Sequence, residues 1–205
     1  MKIGIDLTKN MRIGIDLNGV LRDTLGKIEQ VYDKFYVSNE EGGSDFKYEV
    51  NYPIDSLNLM NHFKFENSED LYNFLYVEHP MEIFGHAASV EYTGMNDLND
   101  FYLDMRDNYK IIIISDEIGK SKPATLFFLS KFSCLIENIM FYSEQTKNNM
   151  LGSIDVLLTA NPDLLLKEVN GLKVIKYEQE YNKNIKAKYS INKLKELKDK
   201  ILEIC

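Results

Sequence analysis

Three apolar runs in this 205-residue chain end in side chains that can do chemistry. Arg12 to Leu17 carries Asp16 at its end and is followed by Asn18 and Gly19. Lys110 to Ile114 leads into Ser115, Asp116 and Glu117, and Ile154 to Leu158 leads into Thr159, Ala160, Asn161 and Asp163. In an open parallel sheet, ligands sit beyond the carboxyl ends of the strands, so these exits are where a site belongs. An aspartate at such an exit serves as a nucleophile toward phosphorus, as a magnesium ligand or as a turn former. Taken singly, none of these acids decides between the three.

The elements that must position them follow from periodicity. Short apolar runs alternate with helical patterns, which predicts an α/β fold, a Rossmann-like parallel sheet flanked by helices. Further strands are expected at Asn138 to Tyr142 and Leu172 to Tyr177, and helices at Leu25 to Tyr36, Pro123 to Phe132 and Pro162 to Val169. Asn161-Pro162 reads as a helix start, with Asn as cap and Pro tolerated in the first turn. A final helix is expected over Ile191 to Ile204, since Ile191, Leu194, Leu197, Ile201 and Ile204 share one face. Residues 37–93, rich in Asn, Glu and aromatics, interrupt this rhythm and read as an inserted cap. The core is then 11–36 with 94–205, and a short strand or hairpin is expected around Phe46 to Tyr52. Residues 1–10 nearly duplicate the first run ("MKIGIDL", then "MRIGIDL") and read as an N-terminal arm, either loose or adding to an exposed sheet edge as a partner or self-association segment. Translation starting at Met1 or at Met11 would yield the same core.

Composition narrows the class. Hydrophobic residues make up 44% and charged residues 27%, ordinary for a soluble globular protein, with no apolar stretch near the roughly 20 residues that span a bilayer. The first apolar segment is broken by Asp6, Lys9 and Arg12, unlike a secretory signal, and Cys134 and Cys205 lack metal-ligand spacing. Both features point to the cytoplasm. A net charge of -8 argues against broad nucleic-acid binding. His62, His79 and His86 are scattered and read as surface or cap residues. The absence of Trp, the 13 Tyr and the Lys/Asn/Ile-rich texture suggest an AT-rich coding genome, compatible with a bacteriophage source and a place in the host cytoplasm or the virion.

The order "IGIDLNGVLRDT", "IIIISDE", a downstream lysine and "DVLLTANPD" resembles the four motifs of the haloacid dehalogenase superfamily of phosphohydrolases over about Met11 to Tyr177. The last stretch is most similar to the 5'(3')-deoxyribonucleotidase group. The resemblance puts Asp16 at the nucleophile position, Asn18 at the general acid/base position and Ser115 at the phosphate-binding hydroxyl. Lys147, with Lys122 behind it, falls near the phosphate-neutralising lysine. Thr159 and Ala160 occupy the places of the paired acids that hold magnesium. Magnesium is usually held by one or two carboxylates with phosphate and water, and both fourth-strand carboxylates are replaced. Asn18 cannot exchange a proton, and general acid/base help is worth about 10² to 10⁴ in rate. Asp16, Asp116 and Asp163, with Glu117, are the acids left to build a shifted metal site.

Two functions are therefore expected in competition. The favoured one is a pseudoenzyme, needing no cofactor, kept as a binding or structural and assembly module, in a phage virion if the composition reads true. The alternative is a Mg2+-dependent phosphohydrolase acting on nucleotides through Asp16.

Overall fold

The computed structural model describes residues 11–37, 50–116 and 119–205. Their strands are β1 (Met11–Asp16), β2 (Tyr109–Asp116), β3 (Ile139–Tyr142), β4 (Val156–Thr159), β5 (Lys173–Tyr177) and β6 (Tyr189–Ile191). All pair in parallel, in the order β3-β2-β1-β4-β5-β6. Chain order therefore reverses at β1, with β2 on one side and β4 on the other, and the crevice of such a sheet opens at that reversal.

Both faces of the sheet are covered, which is why its central strands read as unbroken apolar runs. Successive side chains point to opposite faces. Ile111 and Ile113 enter one core cluster, and Ile112 and Ile114 the other. Helix α1 (Thr24–Tyr32) follows β1, and the segment after it holds α2 (Leu59–His62) and α3 (Ser68–Asn73). The first core face is packed by α4 (Gly94–Met105) through Leu98 and Phe101, and by α5 (Lys122–Lys131) through Phe128. The second face is packed by α6 (Lys147–Leu151) and α7 (Pro162–Leu165), while α8 (Leu197–Ile204) returns to the first.

Three elements depart from the sequence expectation. Ile191 does not open the last helix. It closes β6, where Tyr189 and Ile191 pair with Ile175 and Tyr177, and α8 starts at Leu197 after a 3-10 turn, Leu194–Glu196. The Pro162 helix ends at Leu165 rather than Val169. Helix α4 lies where no helix was expected, and its Met95, Leu98, Phe101 and Met105 form a buried stripe. The strand expected around Phe46 to Tyr52 falls partly outside the described residues, and Val50 to Tyr52 are not in a strand. The arm, residues 1–10, lies outside the described residues altogether. No helix among the described residues is long and apolar enough to cross a membrane.

Between α1 and α4 the chain leaves the sheet, and its Phe63, Phe74 and Ile83 build a separate apolar cluster with Val31 and Tyr32 of α1. It leaves and returns at one place: Arg22 and Ser89 form an antiparallel bridge, the Asp23 N–H donates to the Ala88 carbonyl, and the Val90 N–H donates to the Leu21 carbonyl, both at 3.0 Å. His62, one of the histidines read as surface or cap residues, lies in this layer. It is buried, with its ring nitrogens 2.9 Å from Ser56 Oγ and 3.1 Å from the Asn51 carbonyl.

Candidate functional site

Sheet register places the first pair. Ile15 is level with Leu158, so the next residues outward, Asp16 and Thr159, leave neighbouring strands side by side. Thr159 Oγ1 accepts the Asn161 N–H at 3.0 Å and donates its own hydrogen to Asp16 Oδ2 at 2.6 Å. The other oxygen, Oδ1, is buried without a hydrogen-bond partner. Asp16 is only 2% exposed. Burial, reinforced by the Asp116 carboxylate, pushes its pKa up to about 8, against the opposing pull of the Thr159 hydroxyl and the nearby amides of Asn18 and Leu17. Because Oδ2 is already an acceptor, the proton that Asp16 holds at neutral pH belongs on Oδ1.

Asn18 is fixed by a second network. A tight turn after β1 brings the Leu21 and Arg22 N–H groups onto the Leu17 carbonyl and the Gly19 N–H onto the Arg22 carbonyl. Gly19 makes this turn at φ +76°, where an added Cβ would meet the Tyr181 hydroxyl and Ala160. The turn folds Arg22 inward until it is fully buried. Its Nε and Nη2 donate to Asn18 Oδ1 at 3.0 and 2.7 Å, and Thr24 Oγ1 donates to the same oxygen at 2.7 Å. Arg22 Nη1 reaches the Phe84 carbonyl at 3.0 Å and Thr125 Oγ1 at 2.5 Å, and the guanidinium lies 5.1 Å from the Phe84 ring centroid. With its oxygen turned to these donors, the Asn18 amide must present Nδ2 to Asp116, and it donates to Asp116 Oδ1 at 2.6 Å.

These groups floor a cavity of about 340 Å³. Asp16, Asn18, Asp23, Asp116, Asn161 and Gln179 supply its polar side, while Leu25, Ile28, Leu57, Leu59, Leu75 and Phe84 form an apolar wall. Gln179 is held there by donating to the Gly19 carbonyl at 2.8 Å. Tyr181 also lines the cavity, and its phenol is pushed up in pKa by burial and by Asp16 and Asp23.

The expected site residues divide accordingly. Asp16, Asn18 and Asp116 line the cavity, and Thr159 stands directly behind Asp16. Ala160 is buried, its carbonyl accepting from Asn182 Nδ2 at 2.9 Å. Ser115 is fully buried in β2 and does not line the cavity. Lys147, which opens α6, is ion-paired with Glu144 at 2.7 Å, and Lys122 Nζ sits 5.2 Å from the Phe141 ring centroid; neither lines the cavity. Asp163 is exposed in the first turn of α7, where Asn161 Oδ1 caps its N–H at 2.9 Å. Glu117 lies outside the described residues. Arg22, Thr24 and Thr125 went unsingled in the sequence, because "VLRDT" read only as the approach to a helix.

No family model matches the chain, and no curated protein matches it. Solved structures do. A haloacid dehalogenase-like hydrolase from Burkholderia xenovorans LB400 aligns with TM-score 0.55 at 12% identity, over 95% of this chain and 97% of that one. A HAD-superfamily hydrolase of subfamily IA, variant 1, from Geobacter sulfurreducens PCA aligns with TM-score 0.56 at 13% identity, over 93% and 99%. A dehalogenase solved with an intermediate complex aligns with TM-score 0.52 at 14% identity, over 92% and 95%. The fold is that of the haloacid dehalogenase superfamily. At such identities the likeness carries the fold and nothing finer.

The magnesium that the resemblance implies does not fit the side chains this haloacid dehalogenase-like fold presents. The β4 exit offers the Thr159 hydroxyl, committed to Asp16, and the Ala160 methyl, which has no oxygen to give. Among the described residues, no three His, Cys, Asp or Glu side chains gather as metal ligands, so Asp16, Asp116 and Asp163 do not form the expected triad.

Proposed function

We propose that the protein is a binding module on a haloacid dehalogenase-like fold rather than a phosphohydrolase, a pseudoenzyme with a role in structure or assembly. One observation carries this reading: the positions that would run the chemistry are closed on each other, with Thr159 on Asp16 and Asn18 locked between Arg22, Thr24 and Asp116. A carboxyl held protonated near neutral pH is a poor nucleophile, and an amide at position 18 moves no proton. A phage virion is the setting that composition suggests for such a module. A magnesium-dependent phosphohydrolase of nucleotides is the second reading, favoured by the place of Asp16 in the lining of the cavity. Phosphate release from p-nitrophenyl phosphate and from deoxynucleoside monophosphates with magnesium separates the two. The first reading expects no release above background, and release abolished by Asp16→Asn would establish the second.

A further inference from the structure

Most hydrogen-bonding groups around the cavity are committed to the protein itself. Asn18 Oδ1 already accepts three donors, Asp16 Oδ2 accepts the Thr159 hydroxyl, and Asp23 Oδ1 accepts the Gly26 N–H at 3.0 Å as the cap of α1. Gln179 is engaged at both ends, its Nε2 donating to the Gly19 carbonyl and its side-chain oxygen accepting the Asn182 N–H. Two lining donors have no hydrogen-bond partner among the described residues. They are the Tyr181 hydroxyl and the Nδ2 of Asn161, an amide whose Oδ1 accepts the Asp163 N–H. Tyr181 is held from behind. Its neighbour Asn182 is buried, accepts the Gln179 N–H on Oδ1 at 3.0 Å, and donates Nδ2 to the Ala160 and Tyr177 carbonyls, both at 2.9 Å. The phenol oxygen then stands over Gly19, where a Cβ would collide with it. Burial, with Asp16 and Asp23 nearby, raises the phenol pKa, so the hydroxyl keeps its proton and remains a donor at neutral pH.

Two donors held in place call for an acceptor, and a carbonyl oxygen, with two lone pairs and no proton to place, matches them. The acceptor must be uncharged. Asp23 and Asp116 line the same cavity, whose lining includes no Lys, Arg or His among the described residues, so an anion would enter beside like charges and leave its water without a partner. The opposite wall sets the rest of the ligand: Leu57, Leu59 and Leu75 come from the inserted layer, and Leu25 and Ile28 from α1. Burying hydrocarbon against such a wall is worth about 25 cal/mol per Å². An apolar wall facing a few fixed polar groups is the usual form of a small-molecule site.

We propose that this cavity binds a small uncharged carbonyl compound, its oxygen accepting from the Tyr181 hydroxyl and Asn161 Nδ2 and its hydrocarbon body lying against α1 and the leucines of the inserted layer. The inference rests on the binding reading above and specifies its ligand class. Hexan-2-one and hexanoate, which differ in the charge of the head, are titrated into the full chain at pH 7 and followed by ligand-observed NMR. Hexan-2-one should bind roughly tenfold more tightly than hexanoate, because only the anion meets Asp23 and Asp116 as like charges. Tyr181→Phe should weaken ketone binding about fivefold. The same variant should leave the Tm unchanged, since the hydroxyl it removes has no partner within the described residues. A hydroxyl with a merely structural role would do the reverse, lowering the Tm and sparing the ketone. Asn161→Asp is the second variant: Asp keeps the cap on α7, removes the Nδ2 donor and should also weaken the ketone. No ketone binding, hexanoate binding as tight as the ketone or tighter, or ketone affinity unchanged in both variants would overturn the proposal. Phosphate release from p-nitrophenyl phosphate with magnesium would instead overturn the binding-module reading, and the ketone titration contains neither reagent.

Discussion

Asp16 illustrates how burial decides what a side chain can do. With a folded-state pKa near 8 against 3.8 for the free group, the folded chain keeps a proton between about pH 4 and 8 that the unfolded chain releases. Stability therefore falls as pH rises through that window, by about 1 kcal/mol per pH unit, and levels off above pH 8. Asp16→Asn has no proton to lose, so its melting temperature relative to wild type should climb from pH 5 to pH 8; parallel melting curves across that range would contradict the protonated state. At Asn18 the critical atom is Nδ2. Asn18→Asp replaces a donor by an oxygen 2.6 Å from Asp116 Oδ1, which should cost about 1–3 kcal/mol at neutral pH in chemical denaturation, and should not by itself create turnover. Arg22→Met would remove two of the three donors on Asn18 Oδ1 together with the guanidinium donors to the Phe84 carbonyl and Thr125 Oγ1, a loss of roughly 3 kcal/mol in the same assay. Asp16 and Asn18 were legible because they close an apolar run. Arg22 was not, because its burial depends on partners 62 and 103 residues away.

At the scale of elements, the turn after β1 and the strand itself make separate predictions. Gly19→Ala places a side chain at positive φ and against Tyr181, so it should destabilise by about 1–2 kcal/mol and reshape the cavity beside Ala160. Strand β1 is paired along its length with β2 and also with β4, so its backbone needs nothing from residues 1–10. Their deletion should leave the melting temperature within about 1 °C by circular dichroism while weakening any self-association seen by light scattering; a truncated chain that unfolds would show that the arm belongs to the core. Strands β1, β2 and β4 were readable as continuous apolar runs because both sheet faces are covered. Strand β6 was not, since three residues carry no periodicity of their own and its identity comes from pairing with β5. Helix α4 had a readable stripe of Met95, Leu98, Phe101 and Met105, masked by the Asn and Asp residues between them, which resemble the texture of the inserted layer. The apolar wall of the cavity follows from how that layer docks over α1, a tertiary fact that no local pattern carries.

Across the whole molecule, an acidic chain of net charge -8 encloses an acid-floored cavity on a fold shared with solved structures described as a hydrolase and a dehalogenase. Fold does not fix function, and the binding module proposed above rests on the site side chains alone. A turnover assay depends on choosing the right substrate, whereas magnesium binding does not. Calorimetric titration of magnesium into wild type and Asp16→Asn, at pH 7 and without phosphate, therefore tests the closed site most directly. The expected result is the same weak, non-stoichiometric heat in both proteins; one equivalent of magnesium bound by wild type and lost in Asp16→Asn would contradict it.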